Sequence, residues 1–325
     1  MKNIGAQALG LALATLATQA AAQSNVTVYG HFDLGLVKES GSPATLSRGL
    51  NNWLGFRGSE DLGGGLEATF NAQMRFLPNT GRMETGVLFQ GESTVGLRSK
   101  ALGALRLGRA LTPFWAQKWR FDPWYDSQFM GSIGAWQNGA YNSDPTFALN
   151  YADYSRISNG VFYDSPTLAG VQLHAAAELE RAAGARSDGR RVASLAVDYR
   201  RGALDTGASY ERNNRGDDIR FIGAAYTLGA FTIMGTYGDV RLVGAARHED
   251  DYTLAGTYCV GAHTFRFGYG KTLHAGGAVT GLAPHKTALG YVHTLSKRTT
   301  LFADIYRVQA AARKNGAALG MTHTF

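Results

Sequence analysis

Strict alternation of apolar and polar side chains, over stretches longer than a soluble strand, limits what this chain can fold into. From Asn25 to Leu36 the even positions are Val26, Val28, Gly30, Phe32, Leu34 and Leu36, and the odd ones Asn25, Thr27, Tyr29, His31, Asp33 and Gly35. Period two puts one face against an apolar medium and the other against water. Residues 66–76 repeat the pattern, with Leu66, Ala68, Phe70, Ala72, Met74 and Phe76 set against Glu67, Thr69, Asn71, Gln73 and Arg75. Soluble strands average about five or six residues, whereas a tilted strand crossing a bilayer needs roughly 9–11. The chain closes in the same style, with Leu319, Met321, His323 and Phe325 in phase. A terminal aromatic on an alternating strand suits a closed barrel whose last strand pairs with its first at the membrane rim.

The connections alternate in length. Seven are turn-like, at 59–65, 99–103, 166–170, 201–202, 229–230, 261–262 and 296–298; eight are longer, at 39–51, 78–86, 110–157, 180–190, 213–218, 239–251, 273–284 and 310–316. Tight turns at one end and long loops at the other are the asymmetry of a membrane barrel, and these connections separate sixteen strands. The expected fold is therefore all-β: a 16-stranded antiparallel transmembrane β-barrel. Tyr199, Tyr210, Tyr226, Tyr237, Tyr252, Tyr258, Phe265, Phe267, Tyr269 and Tyr291 fall in phase with the aliphatic residues, as an interfacial belt requires. A pair of soluble β-sandwiches would alternate too, but would need a linker, and the pattern runs uninterrupted from 25 to 325.

Residues 1–22 read as a secretory signal: Lys2, an apolar run from Ile4 to Leu16, then Ala20-Ala21-Ala22. The expected mature chain is one domain, 23–325. A mean hydropathy of −0.16 fits a barrel with a polar lumen as well as a soluble protein, so periodicity has to decide. The single cysteine, Cys259, excludes an internal disulfide framework and a multi-cysteine zinc site.

Several segments, in order along the chain, resemble the Gram-negative general porins. They are Val26-Thr27-Val28-Tyr29-Gly30, then Leu54-Gly55-Phe56-Arg57-Gly58 running on through Asp61-Leu62-Gly63-Gly64-Gly65-Leu66-Glu67-Ala68. Val95-Gly96-Leu97, Leu105-Arg106-Leu107-Gly108-Arg109, Tyr163-Asp164-Ser165-Pro166, Leu295-Ser296-Lys297-Arg298 and the closing Gly320–Phe325 complete the series. The resemblance implies a homotrimer in outer-membrane lipid and lipopolysaccharide, passing small hydrophilic solutes and ions. It also implies that the third outer loop, here 110–157, folds into the lumen and constricts it. A loop that long in a compact domain is usually functional.

In such porins, charges on the wall and on that loop set ion preference. The wall candidates are Arg57, Arg75 and Arg98, all out of phase with the apolar face, joined through the family pattern by Arg109 and Arg156. The loop offers Lys118, Arg120, Asp122 and Asp126. Two positions depart from the family: Trp53 stands where an arginine is frequent, and none occurs near Gln90-Gly91. Four of the five tryptophans, Trp115, Trp119, Trp124 and Trp136, lie in the loop, either as a stacking surface for sugars or aromatic solutes or as the loop's own packing. A net charge of +7 points toward anions. Nothing resembles a nucleic-acid-binding tract. The eight histidines are scattered with no catalytic or metal-ligand spacing, so neither catalysis nor a cofactor is expected; His31 and Asp33 share a face as a hydrogen-bonding pair. The competing classes, a barrel hydrolase or an adhesin, find no active-site motif and no soluble passenger.

Overall fold

The computed structural model describes residues 25–125, 141–145, 154–179, 190–244, 247–275, 285–309 and 313–325. The expected signal segment 1–22, Asp126 and Trp136 lie outside the described residues. The strands are β1 (Asn25–Glu39), β2 (Thr45–Ser47), β3 (Asn52–Gly63), β4 (Leu66–Leu77), β5 (Arg82–Met83), β6 (Glu92–Ser99), β7 (Gly103–Leu111), β8 (Arg156–Asp164) and β9 (Val171–Glu178). They continue as β10 (Ala193–Arg201), β11 (Leu204–Arg212), β12 (Asp218–Leu228), β13 (Phe231–Leu242), β14 (Arg247–Val260), β15 (His263–Ala275), β16 (His285–Thr294), β17 (Thr299–Gln309) and β18 (Arg313–Thr324). Among the described residues a helix, α1 (Pro113–Arg120), follows β7.

Each long strand pairs antiparallel with its sequence neighbours, and β1 pairs with β18 to close the ring. The barrel has sixteen staves; β2 and β5 are short additions that extend β1 and β4 at the long-loop end. Closure leaves no unpaired edge, which a strand in hydrocarbon requires. At the seam Gly30 and Phe325 exchange backbone hydrogen bonds of 3.1 and 3.2 Å. The Phe325 ring occupies the space a Cβ on Gly30 would take, 2.3 Å from its Cζ. A side chain there would displace the ring that packs beside Phe32.

The phase read from sequence is the phase observed. Val26, Val28, Phe32 and Leu36 are exposed on the outside, while His31, Asp33 and Val37 are buried within. The loop limits need correction. Inside the expected loop 239–251, β13 runs on to Leu242 and β14 begins at Arg247, and β3 runs to Gly63 rather than ending near Ser59. Charged residues suggested loop, but a ladder above the membrane carries them without losing a backbone hydrogen bond, since every second side chain points to water.

The helix begins where its residues allow. Thr112 is extended, at φ −75° and ψ 154°, and Pro113 takes the first turn, where its missing N–H costs nothing. Lys118 and Arg120 lie in the last turn, where cations complement the helix dipole.

Candidate functional site

The inward face of the barrel has two unlike walls. On β10–β17 the inward carboxylates Asp198, Glu211, Glu249, Asp251 and Asp304 are each at most 6% exposed, while Asp205 of β11 stays 30% exposed. The third-loop segment engages Asp198, Asp205, Glu211, Asp251 and Asp304. Phe114, Trp115, Trp119 and Phe121 form one apolar cluster with Tyr141 and Tyr154 from the same loop and with Ile219, Phe221, Val240 and Leu242 of the wall. Wall glycines make room for the helix: a Cβ on Gly207 would sit 2.4 Å from the Gln117 amide nitrogen, and one on Gly223 would sit 2.4 Å from the Phe121 ring.

Polar contacts then lock the loop down. Gln117 Nε2 donates to Asp198 Oδ1 at 2.8 Å and to the Val197 carbonyl at 2.9 Å. Arg120 pairs with Asp198 and, at 3.0 Å, with Asp205. Lys118 Nζ lies 3.4 Å from Asp251 Oδ1, with both side chains about 1% exposed. Trp124 Nε1 donates to Asp304 Oδ1 at 2.8 Å, and Arg266 donates to the same oxygen at 2.8 Å. Tyr141 and Ser143 both donate to Glu211. Burial, then the Glu211 charge beside it, pushes the Tyr141 hydroxyl well above its ordinary pKa.

The other wall, on β3, β4 and β6–β8, carries arginines that the loop leaves open. Arg57 is exposed and stacks over the Tyr29 ring at 5.0 Å. Arg98 pairs with Glu67 at 2.5 Å but stays 56% exposed. Arg106 reaches Glu92 at 3.1 Å and Asp164 at 3.2 Å. With Thr27, Asn71 and Thr94 they line a cavity of about 510 Å³. The three remaining arginines of this wall are more enclosed. Arg75 packs over Trp53, which itself stacks on His31 at 4.3 Å. Arg109 donates to the Gln90 carbonyl at 3.0 Å and to Ser158 at 2.9 Å, and Arg156 to the Gly91 carbonyl at 2.7 Å.

Lys118, Arg120 and Asp122 do not stand free in a constriction: Lys118 is sealed against Asp251, Arg120 binds two wall carboxylates, and Asp122 accepts from the Trp124 N–H at 2.9 Å and is buried. Of the two readings of the loop tryptophans, the loop's own packing describes Trp115, Trp119 and Trp124. Trp115, Trp119 and Trp124 are at most 2% exposed, consumed by packing the loop. Arg98 lies beside the short turn after β6, at the mouth rather than at mid-height. His31 and Asp33 do not pair: His31 stacks on Trp53, and Asp33 accepts from the Gly49 N–H at 2.6 Å and the Thr322 hydroxyl at 3.1 Å. Sequence reading passed over Arg106, although it sits in the Leu105–Arg109 motif, and over the carboxylates of the covered wall, whose inward phase was readable. Among the described residues, no inward cluster assembles three side chains suited to a metal.

A closed barrel of amphipathic strands, apolar outside and charged within, with a loop folded onto one inner wall, defines a membrane channel. The sequence profile of the Gram-negative porin family matches residues 8–312, and the chain belongs to that family; it is an outer-membrane porin. Outer membrane porin protein 32 of Delftia acidovorans is 29% identical over 97% of this chain and 99% of its own. A second relative, an outer membrane porin protein of Bordetella pertussis, is 28% identical over 62% of this chain and 57% of its own. Among solved structures, the anion-selective porin from Comamonas acidovorans superposes with a TM-score of 0.79 at 24% identity, covering 93% of this chain and all of that one. The trimer form of OmpT from Vibrio cholerae gives 0.69 at 15% identity, covering 93% of this chain and 99% of that one.

Proposed function

We propose that this porin passes small hydrophilic solutes passively and favours anions over cations. One observation carries the reading: the loop buries the carboxylate wall and leaves Arg57, Arg98 and Arg106 facing the open space. Fixed cations along a water-filled path raise the local concentration of anions. The relative from Comamonas acidovorans is described as anion-selective, which supports the same direction.

Passage needs no catalytic group, and we read the protein as a conduit rather than an enzyme. Residues 1–22 act as a cleaved export signal in this reading. Three copies assemble, as in the trimer form of OmpT. Purified protein in a planar bilayer tests all but the cleavage. Conductance steps grouped in threes, with a reversal potential under a KCl gradient displaced toward that of chloride, are expected. A displacement toward potassium refutes the anion preference, and single independent steps refute the trimer.

A further inference from the structure

The outer surface of β13 and β14 carries a second constellation, on the face away from the lumen. Asp239 and Asp250 are direct partners across the ladder near the long-loop end. Like charges directly opposite one another repel. His248 joins them: its Nε2 lies 2.5 Å from Asp239 Oδ2 and 3.9 Å from Asp250 Oδ1. One donor atom from each of the three falls within 4.8 Å of the others. Asp239 Oδ1 is shielded from solvent without a hydrogen-bond partner, its nearest cation being Arg241 Nε at 3.7 Å. The Tyr237 hydroxyl donates at 2.6 Å to Asp250 Oδ1, the oxygen that also faces His248, and so fixes that carboxylate.

We propose that Asp239, His248 and Asp250 form a binding site for a divalent cation of the zinc type. One imidazole and two carboxylates make a mixed N/O set that such ions take with one or more positions left for water. Calcium and magnesium, which favour all-oxygen shells, suit it less well. On entry the ion replaces the direct His248–Asp239 contact: the neutral imidazole offers its Nε2 lone pair at about 2.0–2.1 Å, and the two carboxylates bind at about 2.0–2.2 Å. The facing acids then share a double positive charge instead of repelling. Tyr237 becomes the outer partner that orients a ligand. Because the ligands come from adjacent strands just below the 243–246 connection, the ion clasps that hairpin from outside.

The test is a titration of the folded full chain in detergent with Co²⁺, followed by visible absorption, with Zn²⁺ as competitor. One equivalent per chain is expected, and Asp239→Asn and His248→Ala each weaken binding at least about tenfold. Should either fail to fold by circular dichroism, His248→Gln serves in its place. His285→Ala, on β16 and away from the cluster, leaves binding unchanged. Absence of binding by folded wild type, or binding that survives the Asp239 and His248 substitutions, overturns the proposal.

Discussion

The two inner walls differ in charge, and still more in what covers them. The wall of β10–β17 is acidic and mostly dry: Asp198, Glu211, Asp251 and Asp304 lie under the third loop and accept from its side chains, as Asp251 does from Lys118 and Asp304 from Trp124. The wall of β3–β8 is basic and wet, and its arginines pair with carboxylates while keeping solvent contact, as Arg98 does with Glu67. A buried ion pair and an open one have different consequences. The first fixes a loop, because breaking it strands a charge in a low dielectric; the second contributes little stability and leaves its field available to a passing ion. A pore whose two walls carry opposite charges thus becomes asymmetric through packing alone.

The comparison breaks most sharply at the buried pair. Lys118→Met leaves Asp251 uncompensated, at a cost of about 3–5 kcal/mol, and the loop is expected to loosen from the acidic wall. Thermal unfolding drops and the reversal potential moves toward potassium as Asp251 and its neighbours meet water. Trp115→Ala acts on the same seam without touching a charge. Removing a fully buried ring costs about 3–5 kcal/mol if the cavity stays open, so the melting temperature falls with a smaller change in selectivity. Replacing Arg57, Arg98 and Arg106 together by glutamine sharpens the picture from the other wall. Each is worth at most about 1 kcal/mol to an ion about 4 Å away in a high-dielectric path, and a passing ion is farther off and screened by salt. The chloride preference therefore falls roughly twofold to fivefold in total while stability barely changes. Smallest is Trp53→Ala, which removes a stacking partner of about 0.5–2 kcal/mol from Arg75 and frees that guanidinium toward the lumen, raising chloride preference slightly.

The strand count and the facing of each side chain were legible because period two survives every context in which one face meets lipid. Val26 and His31 fall on opposite faces as their phase requires. Loop boundaries were less legible, since Asp239 and Asp250 read as loop residues while sitting on a continuous ladder. The length and aromatic content of the third loop marked it as special. Which wall it would lie on was hidden: phase tells inward from outward, but not which strands face one another across a closed ring. Hence Lys118 and Arg120 read as pore cations, although their partners Asp251 and Asp198 are 133 and 78 residues further along. The best missed clue was the inward glycines at 207 and 223, which have no packing reason in a strand unless something approaches closely.

Comparing access to the two walls tests the account most directly. In a Cys259→Ser background, a cysteine is placed on the open wall at Thr27, the register partner of Arg57, or under the loop at Ser209, which is 8% exposed. A small charged thiol reagent is then added to the open channel and its reaction rate followed through the fall in conductance. Thr27→Cys is expected to react at least about a hundredfold faster than Ser209→Cys, because reaching the latter requires the loop to open. Equal rates at the two positions would mean that the acidic wall is as wet as the basic one, and the origin assigned here to ion preference would be wrong.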